Sequence, residues 1–208
     1  MAVHRLNRDR LVAIAHAYVA ENGLDALTVR RLAAAAEVTP GALYKHFRDK
    51  RDLQRAMADS VYATVDLDAL VDGSPSVDQV VECCVRMRAA MLGFRDGGRI
   101  VAGSYAPFAA TVAISTALRD LLAPIVIARF DAGDVAFALR NFTVGFVIEE
   151  QAYLALAASG EWEGLVAEVR AGSPAIPASA SDGVAILSGD RDARFRAGLA
   201  AVLAGTVE

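Results

Sequence analysis

Residues 28–50, TVRRLAAAAEVTPGALYKHFRDK, interleave basic, hydroxyl and aromatic side chains with glycine and alanine. Arg30, Arg31, Lys45 and Lys50 can neutralise phosphates, and Tyr44 and His46 can hydrogen-bond to them. An arginine can also grip a guanine edge through two parallel bonds. This is the chemistry of holding a polyanion. Bond-breaking chemistry is not visible: His4, His16 and His46 have no Ser, Cys or carboxylate partner at a convincing spacing, and no H-x-x-x-H, C-x-x-C or phosphate-loop pattern occurs. The chain is therefore expected not to be an enzyme and to need no metal or cofactor. His16 lies among apolar neighbours and reads as packed or surface. Cys83 and Cys84 are adjacent, a spacing that rarely closes a disulfide. They read as buried or pocket-edge thiols, with a redox sensor as the alternative. A cytoplasmic location follows from this cysteine usage.

The elements that must position these side chains read almost entirely as helix. Asn7 caps a helix that stops at Gly23, with Leu11, Ile14, Ala15, Tyr18 and Val19 on one face. Thr28 caps a second, to about Ala36, and Thr39-Pro40 opens a third, to about Phe47. A short helix, a tight turn at Glu37-Val38 and a second short helix make the helix-turn-helix plan. The second helix of such a pair lies in the major groove, so its outward positions must be small or hydrogen-bonding. Thr39, Pro40, Gly41 and Ala42 would keep the backbone close to DNA. Tyr44, Lys45 and His46 would reach phosphates or base edges, and Thr28, Arg30 and Arg31 would meet a base edge or the backbone. Lys50 opens the next helix, where charge and helix N-terminus both attract a phosphate. A helical hairpin with a solvated basic face is the alternative that spacing leaves open.

Beyond residue 48 the pattern predicts a long connecting helix over 49–70 and a capping-box helix from Ser76-x-x-Gln79 toward Phe94. Further helices are expected near 97–103, 108–122, 131–158 and 190–204. Strand signals are weak. The Gly-, Pro- and Ser-rich stretch 172–189 reads as a loop with the composition of a mobile segment. The expected architecture is all-α: a three-helix DNA-binding domain at 1–48 and a helical ligand-binding and dimerisation domain at 49–208.

The chain has 208 residues, 55% of them hydrophobic and 22% charged, with a mean hydropathy of +0.35. So apolar a chain with so little net charge must collapse around a core. No charge-free run of about 18 to 20 apolar residues occurs, so no membrane span is expected. The first 30 residues carry regular charges and no apolar run, so no signal peptide is expected either. The net charge of −4 is unfavourable for a nucleic-acid binder until it is divided. Residues 1–55 hold ten Lys and Arg against six Asp and Glu, a net of +4, and the remainder carries −8.

Val38, Gly41, Leu43, Tyr44, His46, Phe47, Lys50 and Leu53 fall in the pattern Val-x-x-Gly-x-Leu-Tyr-x-His-Phe-x-x-Lys-x-x-Leu. On these residues the segment resembles the N-terminal domain of the tetracycline-repressor (TetR) family of transcriptional regulators. The resemblance implies phosphate contact by Tyr44, His46 and Lys50, base contact by Arg30 and the exposed part of Thr39–Lys45, and packing by Leu43 and Phe47. FRDGGRIVAGSYAP at 94–107 and NFTVGFVIEEQAY at 141–153 are similar to the C-terminal domain of the tetracycline repressors. The segment 159–189 matches poorly.

That second resemblance implies a pocket, altered from one that holds magnesium–tetracycline. Val101 stands where a metal-binding histidine would, Tyr105 where an arginine, Cys83 where an asparagine and Met87 where an aromatic ring would. Asp66 falls near a further histidine, while Ser104 and Glu149 keep equivalent chemistry. Without the imidazole a magnesium-chelate effector is disfavoured. A small hydrophobic, polyketide-like or drug-like molecule fits better, lined by these residues with Met91, Phe94, Phe108, Phe142 and Phe146. Plain core packing is the competing reading for each of them. Of the adjacent pair Glu149 and Glu150, at least one should be solvated or dimer-facing, since neighbours on a helix diverge by about 100°. The expected function is a homodimeric repressor on a palindromic operator, released by that effector. A DNA-binding regulator without an effector, or a helical binding protein, are the alternatives.

Overall fold

Side-chain caps set most helix starts. In a computed structural model describing residues 7–70, 75–105, 107–171, 184 and 188–207, Asn7 accepts from the Arg10 N–H, Thr28 from Arg31 and Asp49 from Asp52. These caps open α1 (Arg8–Asn22), α2 (Val29–Ala35) and α4 (Lys50–Tyr62), while Pro40 starts α3 (Pro40–Leu43). Ser76 caps α5 (Val77–Leu92). The predicted capping box forms only by half, because the Gln79 amide donates to the Leu70 carbonyl instead of serving Ser76. Then come α6 (Gly97–Val101), α7 (Ala109–Leu122), α8 (Ala132–Ser159), α9 (Glu161–Arg170) and α10 (Arg191–Leu203). Among the described residues there is no strand, and only one isolated antiparallel bridge, between Val126 and Val207. The fold is all-α, with an N-terminal helix-turn-helix domain followed by a helical C-terminal domain.

Two boundaries and one additional helix differ from the sequence reading. The connecting helix ends at Tyr62 rather than 70. The Thr64 hydroxyl bonds the Val61 carbonyl, and Asp66 Oδ1 accepts from the Asp68 N–H, local bonds that compete with helical ones. The α-helical part of α3 is one turn, continued to Phe47 by tighter turns such as His46 N–H to Leu43 C=O. A helix, α9, follows Gly160 in the poorly matched region. Most of the predicted loop at 172–189 lies outside the described residues.

One core runs through the molecule. Leu11, Ala15 and Val19 of α1 meet Leu32, Leu43 and Phe47 in the head, and Leu53 and Met57 carry the apolar seam along α4. In the body α8 is the central element, packed on α5, α6, α7, α9 and α10, while α4 touches α1, α5, α6 and α7. Head and body therefore share one connecting helix and one continuous apolar interior.

Candidate DNA-binding face and effector clefts

The turn between α2 and α3 is made by Glu37, at a left-handed φ of 54°. A non-glycine residue rarely takes this conformation, so the turn is held by its surroundings. Val38 N–H closes it on the Ala33 carbonyl at 2.9 Å, and Leu32, Ala33, Leu43 and Phe47 lock the pair from beneath. The opposite side is open: Thr28, Arg30, Arg31, Thr39, Pro40, Gly41, Tyr44, Lys45 and Lys50 are exposed, Tyr44 by 58%, and Ala42 and His46 are half-buried. The predicted DNA-contacting residues thus share the solvent side of one motif. Arg31 is partly engaged, donating to the Ala26 carbonyl at 2.9 Å.

Sequence reasoning missed Arg8, which anchors this face from behind. It donates to the His46 carbonyl at 2.6 Å and to Asp52 Oδ1 at 2.8 Å, and lies 4.5 Å from the Phe47 ring centroid. Asp52 is buried, also accepts from the Arg48 N–H, and is held below the usual carboxylate range chiefly by the Arg8 hydrogen bond. A lowered folded-state pKa means stability present at neutral pH and lost as pH falls through that value. Acid melting below about pH 4 is therefore expected to be shallower in Asp52→Asn, measured by thermal melts from pH 6 to 3. An unchanged profile would remove Asp52 from this role.

The head is latched to the body at the end of α1. Asp96, itself left-handed at φ 59°, accepts from the Leu24 N–H at 2.8 Å. Arg95 donates to the Ala20 and Glu21 carbonyls at 3.0 Å, and Arg99 pairs with Asp25 at 2.7 Å. His16 joins the same seam, 2.9 Å from the Ser60 hydroxyl and 4.5 Å from the Phe94 ring, its pKa lowered by burial. The reading of His16 as packed applies. No sequence signal marked the latch, whose partners lie over 70 positions apart.

The residues suggested for the pocket divide between the core and several separate clefts. Cys83, Met87 and Met91 form a fully buried stripe at i, i+4 and i+8 on α5, and Val101 is buried beside them in the core. Burial pushes both cysteine thiols up to about 12, so neither has the thiolate a redox sensor needs. Buried Ser104 donates to the Val101 carbonyl. Phe142 stacks on Phe195 of α10 at 5.8 Å, and Phe146 meets the same ring at a tilt at 5.1 Å. Glu149 is exposed, whereas Glu150 turns inward and pairs with Arg88. Asp66 and Phe94 edge one cleft, Phe108 another near Arg8.

Tyr105, the remaining candidate, borders a cleft of about 480 Å³ between α7 and α8. Its walls include Val112, Ser115, Ala136, Phe137 and Arg140, none of them singled out from sequence. Arg140 had one signal: it is the lone base of α8. Among the described residues no cluster of His, Cys, Asp or Glu is able to hold a metal ion, and no helix is long and apolar enough to cross a membrane.

Comparison with known proteins agrees with this geometry. Residues 11–57 match the profile of bacterial regulatory proteins of the tetR family, and residues 76–208 that of the tetracyclin repressor-like C-terminal domain. The chain is 32% identical over 212 residues to the tetracycline repressor protein class C of Escherichia coli, covering 98% of this chain and 91% of that one. A possible TetR family transcriptional regulator from Streptomyces coelicolor superposes with a TM-score of 0.80 at 35% identity, covering 96% and 98%. A TetR variant from Acinetobacter baumannii, in complex with minocycline, gives 0.70 at 27% identity, covering 97% and 96%.

Proposed function

Because this chain belongs to the TetR family of transcriptional regulators, and is thus no enzyme, we propose that it is a repressor that binds a pseudo-palindromic operator as a homodimer. A small, largely apolar effector then releases it. The observation that carries this reading is the shared exposed face of Thr39, Gly41, Tyr44, Lys45 and Lys50 on a rigid helix-turn-helix. Two such heads would enter successive major grooves about one helical turn apart. Exposed small residues on α8 and α10, among them Ala138, Gly145, Ala197 and Ala201, leave room for a second copy of both helices. An effector in the body would favour head spacings that no longer fit the operator. The α4 helix and the Asp96–Leu24 latch are the elements joining the two ends. Such a protein would work in the cytoplasm, where its DNA lies.

Gel retardation on the gene's own upstream region, with and without apolar candidate ligands, tests the proposal. Tyr44→Ala and Lys50→Ala are each expected to weaken binding to all sequences and to reduce the salt slope by about one. Unchanged affinity in both variants would contradict the docking face. A second reading, a DNA-binding regulator with no effector, is favoured by the closed packing around Cys83, Met87, Met91 and Val101. Specific retardation that no ligand relieves would select it.

A further inference from the structure

The cleft between α7 and α8 contains a charge with no counter-charge. Several arginines of the body have a carboxylate: Arg86 has Glu82 at 2.8 Å, Arg88 has Glu150 at 2.6 Å and Arg99 has Asp25 at 2.7 Å. Arg119, which also borders the cleft, is neutralised by Asp120 at 2.7 Å. Among the described residues Arg140 has no such partner, and its Nε is buried without any acceptor. Its guanidinium carbon lies 6.0 Å from the centroid of the Tyr62 ring, a buried side chain whose hydroxyl also lacks an acceptor. Burial raises the Tyr62 pKa against the nearby Arg140 guanidinium, which pulls it down, so the hydroxyl stays protonated and offers the arginine a neutral oxygen but no counter-charge.

No carboxylate is among the residues that line the cleft. Thr111 gives both its N–H and its hydroxyl to Asp59 of α4, and the Ser115 hydroxyl donates to the Thr111 carbonyl at 3.0 Å. Buried polar groups are almost always matched, and a guanidinium with a neutral hydroxyl beside it, a buried Nε and no carboxylate calls for a charged acceptor from outside. A guanidinium prefers a charged oxygen acceptor, which it can meet with two parallel bonds. Around it the walls are apolar: Pro107, Val112, Ala136 and Phe137, with Tyr105 at the mouth. Phe137 is 50% exposed and Tyr105 is 75% exposed, a large apolar surface to leave in water.

We infer that the α7–α8 cleft takes an apolar anion, a ring-bearing carboxylate, with its acidic group on Arg140 and its rings against Val112 and Phe137. This rests on the effector-responsive reading above and names the chemical class of that effector. The rings match a space of about 480 Å³, and the acid supplies the acceptor that Arg140 lacks. A neutral molecule of the same shape would leave the arginine's charge unmatched.

Calorimetric titration of the intact protein with benzoate, 1-naphthoate and 9-anthroate, each beside its primary amide, tests this. At least one acid should bind tenfold or more tightly than its amide. Arg140→Met should erase that preference and Arg140→Lys retain part of it. Because Arg140→Met removes a buried donor that has no acceptor, its Tm without ligand should be no lower than that of the parent. Equal affinity for acid and amide, a preference that survives Arg140→Met, or no saturable binding by any acid would overturn the inference. Operator retardation keeps the two proposals apart. An Arg140-dependent acid that leaves the DNA complex intact upholds the anion site and overturns effector release. Amides that release DNA as well as the acids do the reverse.

Discussion

Glu150→Ala is expected to destabilise the protein by about 3 to 5 kcal/mol, the loss that follows when one member of a buried ion pair is removed. Its neighbour offers the control, since Glu149→Ala at an exposed position should stay within about 0.5 kcal/mol. Glu150 accepts two bonds from Arg88, at 2.7 and 2.6 Å, and the side chains are only 5% and 11% exposed. The guanidinium is sandwiched toward Phe195 and Phe146, its carbon 5.1 and 5.7 Å from their centroids, so its charge cannot be rehydrated in place. Asp192 retains one bond to Arg88 at 3.0 Å, which puts the expected loss at the lower end of that range. Arg88→Met combined with Glu150→Leu should recover most of it, because no stranded charge remains. Urea denaturation of the four proteins decides the matter. Equal losses at 149 and 150 would mean that the wrong carboxylate has been turned inward. A loss at Glu149 that grows on dilution would place it at a subunit contact.

The second large effect is expected at Gly97. A Cβ there would lie 2.0 Å from the Met91 carbonyl oxygen and 2.9 Å from its carbon, both backbone atoms that cannot swing aside. Gly97→Ala should therefore cost about 3 kcal/mol, the upper part of the overpacking range. The displacement has a direction with functional meaning. Moving the start of α6 moves Asp96 and Arg99, and with them the bonds to Leu24 and Asp25 at the head. Operator affinity should fall along with stability, more steeply than in a variant of equal instability elsewhere in the body. Gly164→Ala in α9 is the opposite case, with nothing within 4 Å of its Cβ, and should gain stability from helix propensity. Melting and retardation on these two variants test both statements. A Gly97→Ala protein that melts and binds like the parent would refute the crowded α5–α6 corner.

How far these features could be read beforehand depends on the distance between the residues that make them. Thr28, Asp49 and Ser76 cap helices through side chains that reach three residues forward. The exposed positions of the recognition segment follow from helix periodicity once Leu43 and Phe47 are known to point inward. The residues proposed for the pocket differ from those of the head in what a periodic pattern can say of them. Cys83, Met87 and Met91 lie on one helical stripe, and a stripe of large apolar residues says only that something covers it. In this fold the cover is core, and Phe142 and Phe146 are covered by α10.

Composition, caps and periodicity sufficed for an all-α chain with a basic head, for its helix-turn-helix, and for the side chains that head presents. Each of these depends on neighbours within a turn or two, or on charge summed along the chain. The tertiary structure alone decided which of two adjacent glutamates is buried, because the answer lies with Arg88, 62 positions away. It alone showed that α6 touches the end of α1, and that Arg140 faces a cleft without a counter-ion. Pairing and its absence are properties of distance in space, and a helix pattern carries no information about what stands opposite it.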